Sequence, residues 1–248
     1  MSTSTEKPRS TPRDPELEHT ALVRHTLEHQ VESLEQQHEA ASLGMWVFLA
    51  TEVMFFGALF MGVIIYRYQY PHEFELASKH LNWVIGGINT VVLLVSSLMM
   101  VLAVHYARVG HQGRLVLFLW LTALLGVVFL GFKATEYYID YEEYLIPGWR
   151  FQPEEWQERG VPIDNVPRVE LFLLFYWIMT GLHALHVTIG ILVVWGGAVL
   201  ARKGLFTPAY YSPVDVTGLY WHFVDLVWIF LLPTLYLLGE HTVADIHF

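Results

Sequence analysis

Five ionisable side chains stand where a sequence of this kind should have none. Glu52, His183, His186, His222 and Asp225 interrupt long apolar runs. A charged or imidazole group inside hydrocarbon costs several kcal/mol unless it is paired, so each is a functional candidate. The residue types permit three chemistries. His183 and His186, at i and i+3 with His222 as a third, have the types to ligate a metal or haem. Glu52 with imidazoles that titrate near neutrality suits proton relay. Polar pairs between helices also brace a bundle without any turnover. The metal and haem readings are the weakest: the chain has one histidine box, no Glu-x-x-His pair in a span, and in His105 a poorly placed fourth histidine for two haems. Lys133 and Glu136, again at i and i+3, precede Tyr137, Tyr138 and Tyr141 and read as an interfacial anchor pair.

The elements that must position these groups are membrane helices. The composition is 54% hydrophobic and 15% charged, and the mean hydropathy is +0.39. Runs at 43–66, 83–106, 115–138, 171–200 and 217–238 are each long enough to cross a hydrocarbon core of about 30 Å as a helix. They are apolar throughout instead of alternating, which excludes a transmembrane barrel. The fold class is all-α: a five-helix transmembrane bundle spanning 43–239, between an N-terminal segment 1–42 and a short tail 240–248. No cleavable leader precedes the first run, which reads as an uncleaved anchor. As an autonomous transporter the chain lacks an inverted repeat or a pair of broken helices.

Residues 1–15 carry three prolines among Ser, Thr and charges and have nothing to bury. Leu17, Ala21, Leu27, Val31 and Leu34 then give one weakly apolar stripe of a charged surface helix. His25 and His29 lie one turn apart there, and a solvated polar face accounts for them.

Consecutive spans alternate direction, so depths can be compared. Glu52 lies ~13 Å into its run, and His186 ~8 Å from the same boundary of the bilayer. His222 and Asp225 lie ~8–12 Å from it. The expectation is one hydrogen-bonded cluster joining the first, fourth and fifth helices. Trp46, Trp221 and Trp228 are candidate lipid contacts. The charge of −10 sits outside the helices, with eight acids against four bases in 1–42 and eight against three in 139–170. This argues against nucleic-acid partners. With no cysteine, thiolate metal sites, iron–sulfur clusters and disulfides are excluded. Orientation is not decided by charge: Arg24, Arg108, Arg114, Arg202 and Lys203 on the N-terminal side match Arg67, Lys79, Arg150, Arg159 and Arg168 on the other.

Across all five runs the sequence resembles cytochrome c oxidase subunit III, the third subunit of haem–copper terminal oxidases, in its shorter five-helix bacterial form. The resemblance rests on GMWVFLATEVMFF at 44–56, INTVVLL at 88–94, KATEYY at 133–138, TGLHALHVTIG at 180–190 and YWHFVDLVW at 220–228. It implies a subunit with no redox centre or metal of its own, packed against the catalytic subunit I, which holds haem and copper, and accompanied by subunit II. It implies bound phospholipids, support of proton uptake, and slower inactivation during turnover. Glu52 takes the part of the family's membrane carboxylate, and His183, His186, His222 and Asp225 that of its polar cluster. The location implied is the bacterial plasma membrane, N-terminus cytoplasmic and C-terminus outside, with cytochrome c or quinol as donor to the complex. Longer members have two further helices ahead of Glu52, where this chain has 1–42. Related five-helix proteins accompany nitric oxide reductases, and an oxidase assembly factor is a further alternative.

Overall fold

The computed structural model of the chain describes residues 34–148, 151–158 and 161–237. Five long helices cross the molecule: α1 (Leu34–Gln69), α3 (Trp83–Val109), α4 (Gln112–Glu142), α6 (Val166–Arg202) and α7 (Ser212–Leu235). Two short ones, α2 (Pro71–Ser78) and α5 (Pro153–Glu158), lie in the connections on the C-terminal side, with a 3-10 turn at Ile163–Asn165. All five long helices are apolar enough to span a membrane. Inside hydrocarbon only a helix or a closed barrel satisfies every backbone N–H and C=O, and the described residues form no strand.

The helices outrun the apolar stretches that announce them. α1 has 36 residues, about 54 Å at 1.5 Å per residue, against a core of about 30 Å. Hydropathy marks only the part that must sit in lipid, while the backbone continues through polar turns. The stretch 34–42 is therefore continuous with the first span instead of a separate surface element. The expected stripe from Leu17 to Val31, the pair His25 and His29, and the tail 240–248 lie outside the described residues. The fifth span is displaced toward the N-terminus relative to the expected 217–238, because Pro213 opens α7 early and Tyr236 already leaves it.

The helix ends carry recognisable signals. Asn82 caps α3, its Oδ1 accepting from the N–H groups of Val84 and Ile85 at 3.2 Å each. Gly110, at φ +82°, closes the same helix in the left-handed conformation that glycine adopts without strain. On the C-terminal side, Arg168 of α6 bonds Glu73 of α2 at 3.1 Å and stacks its guanidinium 4.5 Å from the Tyr70 ring. That contact ties α2 to α6. Trp156 of α5 is buried, its ring 4.9 Å from that of His80.

α3 and α4 form the tightest hairpin, with α6 and α7 laid against it, and α1 rests at the periphery on α7 and α6. Most large apolar side chains of α1, among them Val53, Met54, Phe55 and Ile64, face outward, as lipid-facing positions do. Trp221 fills the centre. It wedges against glycines on two helices: a Cβ on Gly126 would come 2.8 Å from its ring, and one on Gly190 3.0 Å. An indole fits between α4 and α6 because neither neighbour has a side chain there.

Candidate functional site

Glu52 of α1 and His186 of α6 meet as the depth comparison expects, with Oε2 3.2 Å from Nε2. The pair is partly shielded, at 18% and 14% side-chain exposure, respectively. The other ring nitrogen, Nδ1, lies 2.8 Å from the Leu182 carbonyl one turn back on α6. A carbonyl only accepts, so Nδ1 carries hydrogen. The contact between Nε2 and the carboxylate then needs a proton of its own, held by the imidazole or by Glu52. A carboxylate and an imidazole at this separation have the atoms to share a proton. Phe56 packs edge-on to the imidazole at 5.4 Å between ring centroids and shields it on the α1 side.

The other three members do not join that pair. His222 of α7 bonds Ser97 of α3, Nδ1 to Oγ, at 2.6 Å. Asp225, one turn further on, is buried. Neither of its oxygens makes a hydrogen bond among the described residues, with Ser97 its polar neighbour. His183 is 1% exposed, with both ring nitrogens unpartnered among the described residues. Its ring lies 5.6 Å from Phe129 and 5.1 Å from Trp228. The single expected cluster is thus one ion pair, one serine–histidine bond and two unpaired buried groups. Common depth did not give common direction: positions i and i+3 diverge by about 60° around a helix, enough to send His186 toward α1 and His183 into the centre. Among the described residues no three His, Asp or Glu side chains gather as a metal would require.

The densest polar network lies where the sequence suggested an interfacial anchor. Lys133 and Glu136 are 1% and 2% exposed, so the pair is buried between helices, not displayed at the lipid–water boundary. Lys133 Nζ donates to Glu136 Oε2 at 3.1 Å, to the Tyr236 hydroxyl at 2.8 Å and to the Tyr176 hydroxyl at 3.3 Å. The Tyr236 hydroxyl donates to Glu136 Oε1 at 2.6 Å, and that of Tyr176 reaches Asp140 Oδ2 at 2.8 Å. Four ring faces surround the ammonium, that of Tyr137 at 4.8 Å the nearest. Three helix ends are joined here: α4 gives the charges, α6 Tyr176, and Tyr236 follows α7. Asp140, Tyr176 and Tyr236 were missed in the sequence. The available signal was the spacing 133, 136, 140, which keeps both carboxylates on the lysine's side of α4.

The tryptophans divide. Trp46 is 59% exposed, as a lipid contact would be, while Trp221 and Trp228 are 1% and 0% exposed. Those two are core residues: Trp221 because Gly126 and Gly190 make room for it, Trp228 because its Nε1 donates to Thr90 Oγ1 at 3.0 Å inside the bundle.

These features define a class: a five-span helical membrane protein whose side-chain chemistry lies between helices. The family model of cytochrome c oxidase subunit III matches residues 168–240, which hold His183, His186, His222 and Asp225. The chain is also similar to a probable quinol oxidase subunit 3 of Staphylococcus epidermidis, 28% identical over 211 residues, covering 84% of this chain and 94% of that protein. The corresponding protein of Staphylococcus aureus is 28% identical over 213 residues with the same coverage. Both likenesses point to the cytochrome c oxidase subunit III family.

Proposed function

We propose that this chain, a third subunit of a haem–copper respiratory oxidase, binds phospholipid, braces the catalytic subunit and supports proton uptake into it, with Glu52 as the working carboxylate. The haems and copper reside in subunit I, and the complex sits in the bacterial plasma membrane with the N-terminus of this chain cytoplasmic. The observation that supports the proton role is the Glu52–His186 pair, a carboxylate 3.2 Å from an imidazole whose other nitrogen is held by the Leu182 carbonyl. Lipid binding draws support from a groove of about 290 Å³ beside Glu52, lined by Val53, Phe56, Phe60, Phe223 and Phe230. It is apolar and opens between α1 and α7, as an acyl chain needs.

Glu52→Gln in the assembled oxidase is the test. Gln keeps the shape and a hydrogen bond to the imidazole while removing the titratable group. The expected result is normal assembly with slower proton uptake and faster loss of activity during turnover. Unchanged uptake and unchanged lifetime would end the proton role. Co-purification at one copy per catalytic chain distinguishes a subunit from an assembly factor, and the same preparation identifies the donor as cytochrome c or quinol and the acceptor as oxygen or nitric oxide.

A further inference from the structure

The Lys133 network contains more negative charge than its cation neutralises. Lys133 is its one ammonium, and Glu136 and Asp140 are two carboxyls, all at most 3% exposed. An ammonium has three hydrogens, and all three are committed: to Glu136, Tyr176 and Tyr236. Glu136 therefore has a cation and, on its other oxygen, the Tyr236 hydroxyl. Among the described residues Asp140 receives neither the lysine nor any other ammonium or guanidinium, and its partner there is the single hydrogen of the Tyr176 hydroxyl. That hydrogen also has Glu136 Oε1 within 3.1 Å, so its bond to Asp140 is shared.

Among the described residues the surroundings supply no further positive charge. From α4 itself the neighbouring titratable groups are Tyr137, whose hydroxyl donates to Thr180 at 2.8 Å, and Glu143, a further acid. From α6 there are Tyr176 and His183, and just past the end of α7 Tyr236. His183 shares the Trp228 ring with Lys133, the imidazole 5.1 Å and the ammonium 5.4 Å from its centroid, and has no partner on either nitrogen among the described residues. A carboxylate with one shared phenol and no cation, buried beside a second carboxylate, is resolved by taking up a proton.

We propose that Asp140 is a proton-binding site, holding one exchangeable proton that brings the Lys133–Glu136–Asp140 network to neutrality and reaching water on the C-terminal side of the bundle. Asp140 stands two positions before the end of α4 at Glu142, which makes it the member nearest the aqueous phase. When the proton leaves, the network becomes a net anion held among three helix ends. The site is separate from Glu52 and lies toward the opposite side of the membrane.

The experiment is infrared difference spectroscopy on the full chain within its purified complex in lipid, at about pH 7, where an ordinary aspartic acid (about 3.9) is fully ionised. The expected spectrum contains a carboxylic-acid C=O stretch that shifts with carboxyl-13C aspartate and with D2O. This component should be absent from Asp140→Asn and retained in Asp225→Asn. Tyr176→Phe leaves the carboxyl in place and removes its hydrogen-bond donor, so the band should move instead of vanishing; this variant also serves if Asp140→Asn does not accumulate. The assignment is overturned if the whole aspartic-acid signal survives Asp140→Asn, if Tyr176→Phe leaves it unmoved, or if the band follows 13C-glutamate. A band insensitive to D2O would overturn exchange with water. None of these outcomes bears on Glu52, so the oxidase reading and this one fail separately.

Discussion

Glu52 and His186 come from helices far apart in the chain and approach to 3.2 Å, while the far nitrogen of the same ring is held 2.8 Å from the Leu182 carbonyl. The contact fastens the peripheral α1 to the body of the bundle, and its strength is measurable. A double-mutant cycle over Glu52→Ala, His186→Phe and the pair, followed by thermal unfolding in detergent, should return a coupling of about 1.5–3 kcal/mol, the range of hydrogen bonds to charged groups. Additive effects of the two changes would show that the pair contributes no coupling.

Trp221 and Trp46 should respond in opposite ways. Trp221→Ala removes a fully enclosed indole and should cost about 3–5 kcal/mol of stability, the usual cost of truncating a large aromatic in a core. Gly190→Leu attacks the same contact from the other side, since a Cβ there already stands 3.0 Å from the ring; overpacking of this kind costs about 1–3 kcal/mol. Trp46→Ala touches a side chain that is 59% exposed and should leave the melting temperature within about a degree or two, as surface changes within about 0.5 kcal/mol do. Equal losses for Trp46 and Trp221 would contradict the placement of both.

How much of this could be read without a structure follows from what periodicity carries. The five spans were legible because about twenty apolar residues in a row have few other uses. The Glu52–His186 contact was legible because helix rise converts residue number into depth. Depth does not give azimuth, so His222 was assigned to the wrong partner and Ser97, an ordinary residue in an apolar run, was passed over. The Lys133 pair was misread for a related reason. Near a helix end, tyrosines beside a lysine fit an interfacial belt as well as they fit a buried cage, and only tertiary packing, which brings in Tyr176 and Tyr236 from 43 and 103 residues away, separates the two. Trp221 was likewise decided by two glycines on other helices.

Breaking the buried network should be costly in proportion to what is left unpaired. Lys133→Met leaves Glu136 and Asp140 enclosed without a cation and should cost about 3–5 kcal/mol, the range for removing one partner of a buried ion pair. Replacing the charges together in Lys133→Met/Glu136→Gln/Asp140→Asn removes the uncompensated charge as well and should recover much of that loss. Thermal unfolding of the three proteins in one detergent is the measurement, and a triple variant no more stable than Lys133→Met would show that the cost comes from lost packing, not from stranded charge.

An ion pair at the bundle's other end provides the contrast. Arg108, at the end of α3, reaches Asp215, in the first turn of α7, at 2.6 Å, which is shorter than the Lys133–Glu136 contact. Distance alone would make it the stronger pair. Its side chains are 54% and 20% exposed, against 2% and 3% for Lys133 and Glu136, so water competes for both partners and mobile ions screen them. Arg108→Gln should therefore cost no more than about 1 kcal/mol, the upper end for exposed pairs. The part due to charge should disappear on raising salt to about 1 M, where the screening length falls to about 3 Å. His38 lies 3.9 Å from the same carboxylate and 5.5 Å from the Tyr211 ring, so contact between α1 and the start of α7 survives loss of the arginine. A salt-independent loss of several kcal/mol in Arg108→Gln would show that this corner of the bundle is as dry as its centre and that burial has been misjudged there.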